Sequence, residues 1–418
     1  MIEKIVTLLG EENIGQYLIN EELTECRELY FVKKRLDMKR SRRKRKYTVR
    51  VFREGKHEGK RTLGSADVLI FDSMTEGEMR AKLREGYFAA SLADDEYYPL
   101  AEVSEDAPAL AENMPAITLE KALSLYSEAL FAPDSDKDAY INSAEIFCSR
   151  TEYRTLNSRG VDVSYAEMRC DGEIVVSCKS GEDVEMYDAF SYTGVNTDAL
   201  SAKVSKLLCE VKARSGAVRC AVSGNYDLII EGSAVRDLLE YYLWRANAKN
   251  IYTKYSECTK GEVLMPVESA LDVTAKATLP YSSEGVRMYD TPLVRGGKAA
   301  GYVGSVRFCS YLGTKPTGEY EKLEVELGKK ALAELKLTPH LHVVSFSDFQ
   351  FDPLDGYFGG EIRLAYLFDG ESVKAVTGLS VSSNAAKLSE GFEACCEKYE
   401  NYNYSGPLAI KIKDVSLG

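Results

Sequence analysis

The sequence is poor in several residues and motifs that mark common kinds of protein site. Its 418 residues include three histidines and one tryptophan, and its ten cysteines contain no Cys-x-x-Cys pair. The patterns of a phosphate-binding loop, a dinucleotide-binding turn and a serine nucleophile elbow are all absent. No run approaches the ~18 apolar residues that a membrane-spanning helix requires. A mechanism based on histidine therefore has few candidate residues, and we expect no membrane partner.

The cysteines and the N-terminal segment both predict a cytoplasmic protein. The cysteines are scattered, and the only adjacent ones, Cys395 and Cys396, are poorly placed for a structural disulfide in what we expect to be a helix-like segment. Such cysteine usage is typical of free thiols in a reducing compartment. The first residues, MIEKIVTLLGEENIGQYLI, are interrupted by Glu and Gly and lack the apolar core of a signal peptide.

The net charge of −12 is unevenly distributed along the chain. Between Lys33 and Lys46 there are ten Lys or Arg residues and one Asp. Such a segment is compatible with a phosphate-contacting hairpin, or with a solvated face that meets an acidic partner surface. Leu36 and Met38 alternate with charged residues and predict a strand with one buried face. The acidic remainder of the chain repels nucleic acid and argues against the first interpretation.

The order of the segments predicts an α+β protein with a mixed N-terminal half and a β-rich C-terminal domain. We expect an N-terminal α+β domain at 1–95, a linker at 96–118, a middle α+β domain at 119–222 and the β-rich C-terminal domain at 223–418.

Capping and turn residues predict several local boundaries. Helices are expected to start at Thr75 and Thr118, because threonine is a favourable N-cap. Within the C-terminal domain, residues 362–376 predict a hairpin in which Asp369-Gly370 forms a two-residue turn.

Two of the three histidines are candidate metal ligands. His340 and His342 are separated by one residue, and in a strand both imidazoles lie on the same face. Together with Asp348 or Asp352, they are compatible with a divalent metal site. The other interpretation, which we favour, is an ordinary strand.

Four separated stretches of the chain resemble the TldD/PmbA family, whose members were once called DNA gyrase modulators. The first two are RVFREGKHEGKRTLGSADV (50–68) and YRTLNSRGVDVSY (153–165). The third, at 279–313, contains the Pro-aromatic-x-x-Glu-Gly block as PYSSEG. The fourth, at 355–388, ends in Ser383-Asn384, where the family has Gly-Asn.

The resemblance implies one of two types of subunit, which pair as heterodimers. The TldD type is a zinc metallopeptidase that carries His-Glu-x-x-x-His and a later Cys, and the PmbA (TldE) type lacks that motif. In this sequence Glu240 and Tyr241 occupy the His-Glu positions, and Arg245 occupies that of the second His. Five residues on an ideal helix separate two side chains by roughly 140°, so the family site requires a deformed or ending helix. The segment YNYSG (402–406) replaces the family's Cys.

The resemblance therefore predicts a non-catalytic PmbA/TldE-like subunit of a TldD-type zinc peptidase complex that acts on peptides. Its partner is expected to be a TldD-like subunit, or a second copy of the chain, and zinc is expected in the TldD-like partner and not in this chain. Pro280, Glu284 and Gly285 are candidate binding residues, although the same block could simply hold two strands in register. Two alternatives remain open: a metal-dependent peptidase that uses His340 and His342, and, less favoured, nucleic-acid binding by residues 33–46.

Overall fold

The computed structural model describes residues 1–104, 116–220 and 223–417. Its helices are α1 (Ile2–Glu11), α2 (Glu76–Ala90), α3 (Leu119–Phe131), α4 (Thr197–Ser215), α5 (Ser233–Arg245), α6 (Ala248–Tyr252), α7 (Val306–Tyr311), α8 (Leu332–Leu335) and α9 (Ala386–Glu390). Its first strands are β1 (Gln16–Val32), β2 (Arg35–His57), β3 (Lys60–Ile70), β4 (Ala139–Asn157), β5 (Asp162–Cys178), β6 (Val184–Thr193), β7 (Val218–Arg219) and β8 (Gly224–Glu231). The later strands are β9 (Val273–Lys276), β10 (Thr291–Arg295), β11 (Lys298–Ala299), β12 (Lys322–Val325), β13 (His340–Phe351), β14 (Tyr357–Phe368), β15 (Val373–Thr377), β16 (Ser380–Asn384), β17 (Phe392–Ala394), β18 (Lys398–Asn401), β19 (Tyr404–Pro407) and β20 (Ala409–Leu417).

The N-terminal and middle parts of the chain share one antiparallel sheet. Its strand order is β3-β2-β1-β4-β5-β6, and β1 pairs along most of its length with both β2 and β4. One end of the sheet is covered by α1 and α2, and the other end by α3 and α4. The pairing of β1 with β4 therefore joins the units predicted at 1–95 and 119–222.

The predicted helix starts at Thr75 and Thr118 agree with the structure. The Thr75 hydroxyl accepts a hydrogen bond from the Glu78 amide, and the Glu78 carboxylate accepts one from the Thr75 amide. This capping box satisfies two amide groups that the first turn of α2 leaves without a helical partner. The Thr118 side chain caps α3 by accepting from the Lys121 amide.

The basic segment Lys33–Lys46 forms the turn after β1 and the first half of β2. Its cations face carboxylates of β1 across the hairpin: Arg43 lies 3.0 Å from Glu25, and Lys46 lies 2.8 Å from Glu22. The expected buried face is wrong, because Leu36 is 49% and Met38 is 44% exposed. Strand β3 pairs only with residues 47–57 of β2, so no strand covers the outer edge beside these side chains within the described residues.

The C-terminal part contains two further sheets. One has the order β11-β10-β9-β12-β19-β18. In the other, β13, β8, β20, β16 and β14 each pair with the next strand, and β14 also pairs with β13, which closes a ring of five strands. Helix α5 contacts strands of both sheets and carries part of the large apolar core. The confirmed fold class is therefore α+β with a β-rich C-terminal part.

Two local predictions in this part are wrong. Phe368 pairs directly with Val373, so the hairpin loop has four residues, 369–372, and not two. The Asp369 carboxylate accepts the amides of Glu371 and Ser372, and this hydrogen bonding stabilises the wider loop. The second error concerns Cys395 and Cys396, which follow strand β17 and do not lie in a helix.

The predicted linker at 96–118 lies only partly within the described residues. Tyr98 and Leu100 are buried in a small core with Phe52 and Leu63 of the sheet, whereas residues 105–115 lie outside the described ranges. The division into domains at 1–95, 119–222 and 223–418 stays a prediction. No helix in the described parts of the chain combines the length and the apolar character that crossing a bilayer requires.

Candidate functional site

The candidate site is built on helix α5, which follows the end of strand β8. Gly232 joins the two elements with a φ of 70°, a conformation that glycine adopts without steric strain. Leu238, Leu239 and Tyr242 are buried on the core side of the helix. Glu240, Tyr241 and Arg245 are partly exposed, and the helix ends at Arg245. The family resemblance predicts that these three residues occupy the positions of the zinc motif, and none of them is fully buried.

Glu240 is held in an ion pair within its own helix. Its two carboxylate oxygens accept hydrogen bonds of 2.6 and 3.0 Å from the two terminal nitrogens of Arg236, one turn earlier. A bidentate pair of this kind is both strong and geometrically specific. The carboxylate of Glu240 is therefore engaged by a cation of this chain.

Tyr241 and Arg245 form a second group at the end of α5. Arg245 donates to the Glu262 carboxylate at 2.6 Å and to the Tyr241 hydroxyl at 3.4 Å. The Tyr241 ring packs edge-on against Phe351, with 5.8 Å between the ring centroids. A guanidinium has five donors and no lone pair to offer a metal. At the second histidine position the protein thus has a positive charge that is already paired.

Two clefts of about 380 Å³ each lie on either side of these residues, and Pro353 lines both. The first, which we call the Trp244 cleft, is lined by Glu240, Leu243, Trp244, Asn247, Asn250, Val303, Gly318, Glu319, Tyr320, Phe351 and Pro353. The second contains Tyr241, Arg245 and Glu262, together with Asp355 and Asn384. Asn384, from the step that replaces Gly-Asn, thus reaches the surface beside α5, where its side chain donates to the Asp355 carbonyl at 2.7 Å.

The segment predicted to stand in place of the family's cysteine, residues 402–406, is part of the hairpin formed by β18 and β19. Tyr404 is completely buried, and its hydroxyl donates to the Pro407 carbonyl at 3.1 Å. Within residues 1–104, 116–220 and 223–417, no three His, Cys, Asp or Glu side chains are grouped closely enough to hold a metal ion.

His340 and His342 both lie buried at the start of β13, but each has a protein partner. A ring nitrogen of His340 lies 2.7 Å from the Thr338 carbonyl, and Nε2 of His342 lies 2.8 Å from the Glu231 carboxylate. The side chains of Asp348 and Asp352 instead accept hydrogen bonds from Gln350 and Leu354. The structure therefore places Glu231, which the sequence did not single out, beside the histidine pair.

Glu231 also joins the two halves of the protein. Its second oxygen accepts a hydrogen bond from Lys206 on α4, and Lys206 lies 3.4 Å from Glu210. Burial lowers the pKa of His342, which opposes its protonation inside this network. Burial also raises the pKa of Glu210 to about 7, and the charge of Glu231 adds to this effect while Lys206 opposes it.

The raised pKa of Glu210 predicts that the substitution Glu210→Gln stabilises the folded protein, and that it does so only at high pH. The folded-state pKa is raised above the ordinary value of 4.5, so ionised Glu210 destabilises the fold increasingly as the pH rises from 4.5 to about 7. We expect Glu210→Gln to increase the free energy of unfolding by about 1–3 kcal/mol at pH 8. The gain should disappear at pH 4, where the carboxyl is protonated in both states. Urea denaturation at the two pH values measures it, and an equal effect at both would contradict the assignment.

The predicted Pro280, Glu284 and Gly285 block forms a turn that packs on the N-terminal sheet. Glu284 is a partly buried carboxylate that accepts the Val306 amide at 2.8 Å, and desolvation raises its pKa. Gly285 has a φ of 78° and lies against Val161. The Pro280 carbonyl accepts hydrogen bonds from the side chain of Arg287 and from the Met288 amide. These contacts connect the two halves of the protein, and a binding role stays a prediction.

Glu284 also lines a smaller cleft of about 230 Å³ between the sheet and the C-terminal part. Arg50 and Arg307 contribute to its wall, but each is already paired: Arg50 with Asp67 and Arg307 with Asp95.

Several residues around α5 carry no local sequence signal. Glu262 meets Arg245 across 17 positions of the chain, and Glu319 enters the Trp244 cleft from a loop. The single tryptophan, Trp244, is the one sequence feature that points to this surface, because tryptophan is enriched at protein interfaces.

Part of the chain matches a known protein domain. Residues 223–418 match the sequence profile of the PmbA/TldA metallopeptidase C-terminal domain. No curated protein sequence matches the chain.

Solved structures share the fold over the whole chain. TldE from Thermococcus kodakarensis superposes with a TM-score of 0.80 at 17% identity, covering 100% of this chain and 99% of that one. A putative modulator of a DNA gyrase from Thermotoga maritima has a TM-score of 0.79 at 12% identity, with 100% and 99% coverage. A putative modulator of DNA gyrase from Bacteroides thetaiotaomicron has a TM-score of 0.76 at 16% identity, with 100% and 98% coverage. At these identities the likeness concerns the fold alone.

Proposed function

Because residues 223–418 match the PmbA/TldA metallopeptidase C-terminal domain, we propose that this chain is the non-catalytic, TldE-like subunit of a zinc peptidase complex that acts on peptides. Its partner in this proposal is a TldD-type subunit with a His-Glu-x-x-x-His motif. That subunit holds the zinc, and this chain holds none.

The observation that carries the proposal is the chemistry of the three motif positions. A catalytic zinc needs about three protein ligands, an open position for water and a carboxylate that takes the proton of that water. Here Arg245 occupies one ligand position and is paired with Glu262. Glu240, at the other, is held by Arg236. Tyr241 occupies the position of the general base and offers a phenol in place of a carboxylate.

In the complex, this chain would contribute surface and shape rather than chemistry. The two clefts beside α5 provide walls against which a peptide can lie. The companion subunit would supply the metal-bound water and the base. We place the complex in the cytoplasm, where free thiols such as the buried Cys148 and Cys170 remain reduced.

The test is to produce this chain alone, a TldD-type protein of the same organism alone, and the two together. We expect the two proteins to co-purify by size exclusion. Elemental analysis should find about one zinc per heterodimer and none in this chain by itself. Peptide cleavage should require the complex and should be lost when the glutamate of the companion's motif is replaced with glutamine.

A variant of this chain provides the matched control. Tyr241→Phe keeps the ring that packs against Phe351 and removes only the hydroxyl, so it should leave cleavage by the complex within about twofold. About one metal per chain in this protein alone, with cleavage that a chelator abolishes, would contradict the proposal. That result would direct mutagenesis to His340 and His342.

A further inference from the structure

The Trp244 cleft has an acidic and aromatic lining without a cation. Its walls include the carboxylates of Glu240 and Glu319, and no lysine, arginine or histidine lines it. Its volume of about 380 Å³ lies within the range of small-molecule sites, roughly 300–1,000 Å³. The cleft is therefore large enough for one side chain of a peptide together with part of its backbone.

The two carboxylates differ in their pairing. Glu240 shares its charge with Arg236, which lies on the same helix and does not line the cleft. Glu319 is exposed, and within the described residues its carboxylate has no hydrogen bond or ion pair. One negative charge at the mouth of the cleft is thus available to a ligand.

The aromatic side chains favour the same kind of ligand. A cation is attracted to the face of an aromatic ring, and tryptophan is the best of the natural rings for this interaction. Trp244, Phe351 and Tyr320 all line the cleft. The hydroxyl of Tyr320 donates to the Tyr289 carbonyl at 2.7 Å, which fixes that ring as a wall.

The end of α5 is also held in place without a ligand. Asn250 donates through its side-chain amide to the Trp244 carbonyl at 2.9 Å, and the Asn247 side chain caps α6. A wall that is already ordered loses little conformational entropy when a ligand binds.

We propose that the Trp244 cleft binds the cationic side chain of an arginine or lysine residue in a peptide, with the cation between Glu319 and the aromatic lining. This inference deepens the proposed function, because it names the class of peptide that the complex would accept. Binding of the cationic side chain is measured on this chain alone. The binding proposal can therefore fail while the partnership with a TldD-type subunit is found, and the partnership can fail while the binding is found.

Trp244 is the only tryptophan of the chain and lines the cleft, so its fluorescence reports binding there. The test peptides are Ac-Ala-Ala-Arg-Ala-NH2, its lysine analogue and its glutamine analogue. Because both termini are blocked, the arginine and lysine peptides carry one positive charge, on the side chain, and the glutamine peptide carries none. Titration of the protein alone should change the fluorescence of Trp244 in a saturable way with the arginine and lysine peptides. We expect the glutamine peptide to bind at least tenfold more weakly.

Two variants separate specific binding from general attraction to an acidic protein. Glu319→Gln should weaken binding of the arginine peptide about tenfold. Glu371→Gln removes the same charge from the exposed loop 369–372 and should leave the affinity unchanged. Equal affinities for the arginine and glutamine peptides, no saturable signal, or equal effects of the two variants would each overturn the proposal.

Discussion

Replacing Glu231 with alanine is expected to lower the free energy of unfolding by about 3–5 kcal/mol. The Glu231 side chain is 5% exposed, and its oxygens accept hydrogen bonds from His342 and Lys206. Removal would leave the buried His342 ring without its partner and would break the connection between α4 and β8. Urea denaturation at pH 7 measures the loss, and Glu371→Ala in an exposed loop is the control.

The effect of Glu231→Ala should depend on pH in a defined direction. Burial by itself raises the pKa of Glu231, but the hydrogen bond from His342 and the charge of Lys206 outweigh it and lower the pKa to about 2. Because the folded pKa is depressed, the stabilisation is fully present above the ordinary value of 4.5 and is lost as the pH falls toward 2. The difference between the two proteins should therefore be largest above pH 5 and clearly smaller at pH 3, and it should continue to fall toward pH 2. A loss that is the same at both pH values would mean that packing, and not the ionised network, is responsible.

Replacing Gly285 with alanine is expected to destabilise the protein by about 2–5 kcal/mol, for two separable reasons. The backbone there has a φ of 78°, which an alanine adopts only with strain. A Cβ atom at this position would also lie 2.5 Å from Cγ1 of Val161, which follows β4. The second effect should weaken the packing of the C-terminal part on the N-terminal sheet.

The chain offers a matched control for the backbone effect. Gly261 has a φ of 87°, and a Cβ atom there would have no neighbour within 4 Å. Gly261→Ala should therefore lose only about 1–2 kcal/mol, the backbone contribution. The double variant Gly285→Ala with Val161→Ala tests the contact itself, because the two losses should sum to more than the loss of the double variant. Equal unfolding midpoints for the two glycine variants would show that the contact with Val161 does not decide the packing.

The starts of two helices could be predicted from the sequence, because the residues that determine them are close together in the chain. Thr75 and Thr118 cap the helices they were expected to start, because the capping hydrogen bonds involve residues only three positions apart. The resemblance to the TldD/PmbA family is confirmed over residues 223–418, which match the C-terminal domain of that family, and the rest of the chain shares the fold of the solved structures.

The burial of side chains was predicted wrongly where it depends on whether another part of the chain packs against them. Leu36 and Met38 have the alternation of a half-buried strand, but no element packs over that part of β2 among the described residues. The cations around them were expected to meet solvent or another protein. They are exposed to solvent, as expected, and they also pair with carboxylates of β1, because the hairpin places Glu25 opposite Arg43.

The sequence by itself determined the α+β class, the family resemblance and the absence of a His-Glu-x-x-x-His motif, since each depends on residue identity and order along the chain. Only the tertiary structure decided which partners the charged residues around these positions have. Arg245 pairs with Glu262, and His342 with Glu231, 111 positions away. The reason is physical: a buried charge needs a compensating partner, and the fold, not the local sequence, determines which one lies within reach.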